Sequence, residues 1–170
     1  MRVAGVNVKA GFLFVVVLDW AADGEATPTV VASNRFEANG SLGDADRFSD
    51  LRDRIRQFLA PLGVSRVDVV ETRQYAQWKY ADAYSRVVKI CAVMDASRAL
   101  GVPFSTQKTG DIAKTLNLQA SMLQVFEASR VGLAKNPMYW TTGLSEAAAV
   151  GLHVLGDPAA ASDDDEAEPA

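Results

Sequence analysis

The chain has 170 residues, 17 Lys and Arg against 21 Asp and Glu, a formal charge of -4 and 49% hydrophobic residues. That is the length of one domain with a sizeable core and a composition ordinary for a globular protein. The longest apolar run, Phe12 to Leu18, is far too short to span a bilayer, and the strand-like N-terminus MRVAGVNV lacks a signal-peptide layout, so the expectation is a cytoplasmic protein with no membrane partner.

The charge is unevenly spread. Residues 157–170 (DPAAASDDDEAEPA) hold six acids and no base; without them 15 acids face 17 bases, a balance of +2. This predicts a folded domain over 1–156 and a disordered acidic tail over 157–170. The tail reads as a solubilising end, or as a segment that competes with nucleic acid for a basic surface. A balance of +2 is compatible with nucleic acid without arguing for it. Cys91 can form no internal disulfide, and its apolar surroundings predict a small core residue.

In chain order, Arg2 to Lys9 and Phe12 to Trp20 read as two strands joined in a hairpin by Ala10-Gly11. Pro28 to Glu37 reads as a third strand, at an edge because of its polar residues. Phe48, Leu51, Ile55, Phe58 and Leu59 recur at helical spacing, and Pro61 and Gly63 end that helix. Val67 to Glu71 (VDVVE) is a short strand rich in β-branched residues, suited to a central position, and it ends on a carboxylate. A long helix runs from about Tyr75 to Leu100; its middle, Val87 to Met94, is apolar nearly all round and should be deeply packed. Val102 to Thr106 is a fifth strand, and Thr109 begins a short helix. Gln119 to Leu133 reads as another helix with Met122, Leu123, Phe126 and Val131 facing inward. After a loop over 135–143, Ser145 opens a last helix that ends at Gly156.

This hairpin-first order of elements is the ribonuclease H-like layout. The run Glu71…Ser85-Arg86-Val87-Val88…Gly101-Val102-Pro103-Phe104…Thr106-Gln107-Lys108, closing with Glu146-Ala147-Ala148-Ala149, resembles the RuvC-type Holliday-junction resolvases. The resemblance spans residues 2–155 and implies an α/β fold: a five-stranded mixed sheet in the order 3-2-1-4-5, strand two antiparallel to the rest, flanked by helices. It also implies carboxylates converging from adjacent strands and one helix to hold two divalent ions, Mg²⁺ by preference, about 3.5–4 Å apart for phosphodiester cleavage. Glu71 matches the acid that ends strand four, and Glu146 the last acid on the final helix. Both are the candidate metal ligands and, with Asn7, the candidate catalytic residues.

Two family positions depart. The strand-one aspartate falls at Asn7, a neutral amide, and the other helix acid falls near Gly143, which has no side chain. Asp19 cannot stand in, because a turn at 10–11 pairs Asn7 with about residue 13 or 14 and Asp19 with about residue 2, at the wrong end of the sheet. His153 shares a helical face with Glu146, and reads as a core histidine or as a phosphate contact. A second constellation is Arg73, Tyr75, Trp78, Lys79, Tyr80 and Tyr84. Rings among bases suit stacking on unpaired nucleotides, and equally a helix face packed on a partner chain. Lys108 and Lys114 resemble the family's basic phosphate contacts, with a solvated lysine the plainer reading of Lys114.

Two functions follow from the resemblance: an active Mg²⁺-dependent structure-specific endonuclease, or a silent relative that binds nucleic acid or a protein partner. Asn7 and Gly143 favour the second, a homodimeric nucleic-acid-associated protein with a degenerate metal site and weak or absent Mg²⁺ binding. No glycine-rich phosphate loop or nucleophile motif supports a small-molecule enzyme.

Overall fold

The computed structural model describes residues 1–21, 27–71 and 79–156. Arg2–Lys9 and Phe12–Asp19 form strands β1 and β2, linked by Ala10 and Gly11 at φ 49° and 81°. Two positive φ values in a two-residue link match the twist of the strands they join, which is what closes a tight hairpin. The turn sets the register: Asn7 faces Phe14 and Arg2 faces Asp19. Asp19 is thus held at the far end of the sheet, ion-paired with Arg2 at 3.1 Å.

Strand β3 (Thr29–Glu37) adds antiparallel to β2. Strands β4 (Arg66–Val70) and β5 (Phe104–Gln107) continue the sheet on the other side, β4 parallel to β1 and β5 parallel to β4. The order is β3-β2-β1-β4-β5, the mixed sheet that the sequence predicts, with β2 running against the rest. Among the described residues no helix is long and apolar enough to cross a membrane.

Alternate residues of the central strands feed two cores. Ala4, Val6, Val8, Leu13, Val15, Val17, Val67 and Val69 pack with α1 (Asp44–Leu59) and α2 (Tyr80–Leu100). Val3, Phe14, Val16, Leu18 and Val70 face α3 (Thr109–Thr115) and α4 (Ser145–Leu155). The alanine-rich start of α4 lies almost against the backbone of β1. A Cβ added to Gly5 would stand 2.0 Å from the Ala147 carbonyl oxygen and 2.9 Å from the Gly151 nitrogen. Glycine is what permits this approach, and the approach fixes where Glu146 stands relative to Asn7.

Several expectations need correction. The long helix is described from Tyr80, residues 72–78 lying outside the described residues, and its middle is not packed all round. Lys89, Ala92 and Val93 are buried, but Val87 and Met94 are 52% and 47% exposed, and Cys91 is only half-buried. Only one side of α2 meets α1 and the sheet, so an apolar circumference leaves an apolar outer stripe. The segment 119–133 is two short 3-10 turns, Ala120–Gln124 and Ala128–Val131, rather than one helix. The Phe126 carbonyl between them accepts the Trp140 indole N–H at 2.8 Å, which takes it out of any helical ladder. Leu123, Phe126 and Val131 are buried as expected, whereas Met122 is exposed. Residues 140–143, expected as loop, belong to a wide π turn, Trp140–Leu144, that runs directly into α4, and β5 starts later than expected, at Phe104.

Candidate functional site at the carboxyl ends of the central strands

Strand periodicity sends Asn7 and Lys9 to the α4 side of the sheet, because β1 alternates and Val3 faces α4. Glu146 enters from the first turn of α4, where a negative charge also suits the helix dipole. The three side chains meet on one oxygen: Asn7 Nδ2 and Lys9 Nζ each donate to Glu146 Oε2 at 2.9 Å. Beside a carboxylate an amide must present its N–H₂, so Asn7 acts here as a donor. Lys9 Nζ also donates to Gln124 Oε1 at 3.3 Å. Asn7 is 4% exposed, and the Lys9–Glu146 pair is partly shielded, so the contact is stronger than an open surface pair and weaker than a dry one.

Glu71 follows the last residue of β4; its backbone N–H donates to the Gln107 carbonyl at 2.8 Å, which extends the β4–β5 pairing by one step. Its side chain and Glu146 line the same cleft of about 440 Å³, together with Asn7, Lys9 and Arg86. Arg86, from α2, donates to the carbonyls of Val8 and Val70 and so ties the helix to the ends of β1 and β4. Among the described residues the ionisable groups lining the cleft are two acids, Glu71 and Glu146, and two bases, Lys9 and Arg86.

The resemblance implies two divalent ions in this cleft, for which the described residues offer two carboxylates, Glu71 and Glu146. Among the described residues no group of three or more His, Cys, Asp or Glu side chains converges. Asn7 turns its amide nitrogen to Glu146, and Lys9 places an ammonium on the oxygen that a metal would need. Gly143 is not merely short of a ligand. A Cβ there would lie 2.3 Å from the Phe14 ring, so this position has no room for an acid.

The other sequence candidates lie around this cleft or away from it. Lys79 and Tyr80 are exposed at the start of α2, and the Tyr80 ring stacks on Tyr84 with centroids 6.2 Å apart. Arg73, Tyr75 and Trp78 lie outside the described residues. Lys108 is exposed just before α3, and Lys114 is exposed on that helix. His153 is a satisfied core residue, its Nδ1 2.8 Å from Thr115 Oγ1. Sequence reading missed Lys9, although its place two residues after Asn7 in a strand was signal enough. It also missed Asp68, fully buried in β4, where Arg66 donates at 2.7 and 3.0 Å and Gln107 at 2.8 Å. Those bonds satisfy the carboxylate, which serves the sheet rather than the cleft.

No protein-family model matches the chain, and no curated protein matches it. Solved structures do. RuvC from Thermus thermophilus superposes with a TM-score of 0.77 at 19% identity, over 92% of this chain and 94% of that one. The same protein in complex with a Holliday junction substrate gives 0.73 at 19% identity, over 92% and 93%. The yeast mitochondrial Holliday junction resolvase gives 0.57 at 8% identity, over 89% and 76%. Far diverged in sequence, this chain is built on the ribonuclease H-like α/β fold of the RuvC-type resolvases.

Proposed function

We propose that this chain is a RuvC-like protein that binds structured nucleic acid, four-way junctions above all, and cleaves it weakly or not at all. The observation that carries this reading is the single Glu146 oxygen shared by Lys9 and Asn7 at 2.9 Å each. A divalent ion gains its affinity for such a cleft from uncompensated carboxylates. Here the chain itself compensates Glu146, so the cleft has less charge left to offer a metal. The likeness to a RuvC solved with its junction substrate supports the choice of ligand. Tyr80 offers stacking surface, and Lys79 and Lys108 offer charge for phosphates; Arg73 and Trp78 join them in this proposal by sequence.

The protein acts as a homodimer in this reading. Tyr84, Val87, Cys91 and Met94 follow one another at spacings of 3, 4 and 3 on α2, the seam that pairs one helix with another. Three of them, Tyr84, Val87 and Met94, are 47–52% exposed. The acidic tail, 157–170, is a separate segment of the domain plan and a competitor for the same basic surface.

Fluorescence anisotropy with a labelled four-way junction in EDTA tests the reading. The expected result is saturable binding that prefers the junction to a duplex of equal length, unchanged when Mg²⁺ replaces EDTA. Equal affinity for both DNAs, or Mg²⁺-dependent resolution at the rate of an active nuclease, would overturn it.

A further inference from the structure

Helix α2 carries a lysine on its buried face. Lys89 is 5% exposed, in line with Ala92, Val93 and Ala96. Its Nζ donates to Ser85 Oγ at 2.5 Å and to the Ser85 carbonyl at 3.4 Å. Both acceptors are neutral. Among the described residues no carboxylate forms an ion pair with it. A buried ammonium without a counter-charge is costly, and its pKa is accordingly held below the usual lysine range, by burial first and by the positive charge of Arg47 second.

Lys89 is buried beside open space rather than in packed core. It lines a cleft of about 480 Å³ that also contains Arg47, Ser85 and Tyr84, with Glu37 and Asp44 at the same cleft. Arg47 is held in place by the carbonyls of Asn39 and Leu42 at 3.1 and 2.8 Å, and its contact with the exposed Asp44 is longer, 3.4 Å. Gly11 leaves the approach open, since nothing lies within 4 Å of where its Cβ would be. A third opening, about 370 Å³, is lined by Lys9, Arg86 and Lys89 with one acid, Asp82. Bases outnumber acids there, around the hairpin turn between the two clefts.

We propose that Lys89, Arg47 and Ser85 form a binding site for a phosphoryl anion, distinct from the carboxylate cleft. Among the described residues Lys89 pairs with no acid, and Arg47 has only the long contact with exposed Asp44, so an anion between them would supply the counter-charge that Glu37 and Asp44 do not bring to Lys89. A phosphoryl group has oxygens enough to meet the ammonium, the guanidinium and the serine hydroxyl at once. Its source is a backbone phosphate of bound nucleic acid or free phosphate, and the two are separable by experiment.

The test is thermal unfolding of the full chain with and without inorganic phosphate, for wild type, Lys89→Met and Arg47→Gln. Lys89→Met keeps the apolar stem and removes the charge, so in phosphate-free buffer it should unfold at or above the wild-type temperature. Phosphate at about ten times its Kd should raise the wild-type Tm by about 3 °C, and should leave both variants unmoved. An equal rise in wild type and variants, or no rise in wild type, overturns the proposal. The slope of log affinity against log salt for a DNA oligonucleotide identifies the source. A slope smaller by about 1 in Lys89→Met marks a backbone phosphate; an unchanged slope beside retained phosphate protection marks free phosphate. Phosphate protection without junction binding would remove the function proposed above and leave this site standing.

Discussion

Two clefts flank the Ala10–Gly11 turn, and they handle charge in opposite ways. In the first, Glu71 and Glu146 are matched by Lys9 and Arg86, and the Glu146 oxygen is already shared by Lys9 and Asn7. In the second, Lys89 among the described residues donates to the neutral oxygens of Ser85, with Arg47 adding a like charge and Glu37 and Asp44 lining the cleft. The fold that holds them is the same. What differs is how the charges are met: in the first cleft Glu146 is paired by Lys9, whereas in the second no described acid pairs with Lys89, although Glu37 and Asp44 line it. Resemblance of fold locates the first cleft, but the ligand of each is decided by which charge stands without a partner.

The most forceful way to break the comparison is to separate Glu146 from Lys9 without touching either. Gly5→Ala would do so, because its methyl would enter the space of the Ala147 carbonyl and push α4 off β1. We expect a loss of about 3 kcal/mol, or about 8 °C in Tm, read by thermal unfolding. A variant as stable as wild type would contradict the close packing that sets the first cleft. A smaller effect sharpens the contrast through pH. The folded-state pKa of Lys89 is lowered, so between that value and the usual lysine value the unfolded chain binds more protons. The cost of burying the charge is therefore fully present below the folded-state value and is relieved as pH rises above it. Urea unfolding from about pH 8 to about pH 10 should show wild type gaining stability relative to Lys89→Met. Parallel curves would contradict it.

Much of the frame was legible. The two-residue link set the hairpin register, and with it the positions of Asn7 and Asp19. The Val-rich run before Glu71 placed β4 beside β1 in the sheet centre. The site was half legible: Asn7, Glu71 and Glu146 were named and share one cleft. Lys9 was visible through the strand period but looked like an ordinary strand-end residue. Lys89 was hidden because it interrupts an apolar stretch of the helix, and only the distances show that it donates to Ser85 and, among the described residues, pairs with no acid. The 3-10 turns near Phe126 were not legible, since a distant indole claims the carbonyl that would have continued a helix. Gly143 looked like a missing ligand, whereas the Phe14 ring fills the space a ligand would take.

The central claim is that Lys9, rather than a metal, neutralises Glu146 in the carboxylate cleft. Calorimetric titration with Mn²⁺ of wild type, Lys9→Met and the double variant Asn7→Asp/Lys9→Met tests it most directly. Removing the ammonium frees Glu146, and the added aspartate supplies an anionic oxygen where Asn7 offers an N–H₂. The account predicts no saturable binding by wild type and a one-ion site in the double variant at least about tenfold tighter, about 1.4 kcal/mol, with Lys9→Met between them. Wild type binding two ions as tightly as the double variant would contradict it.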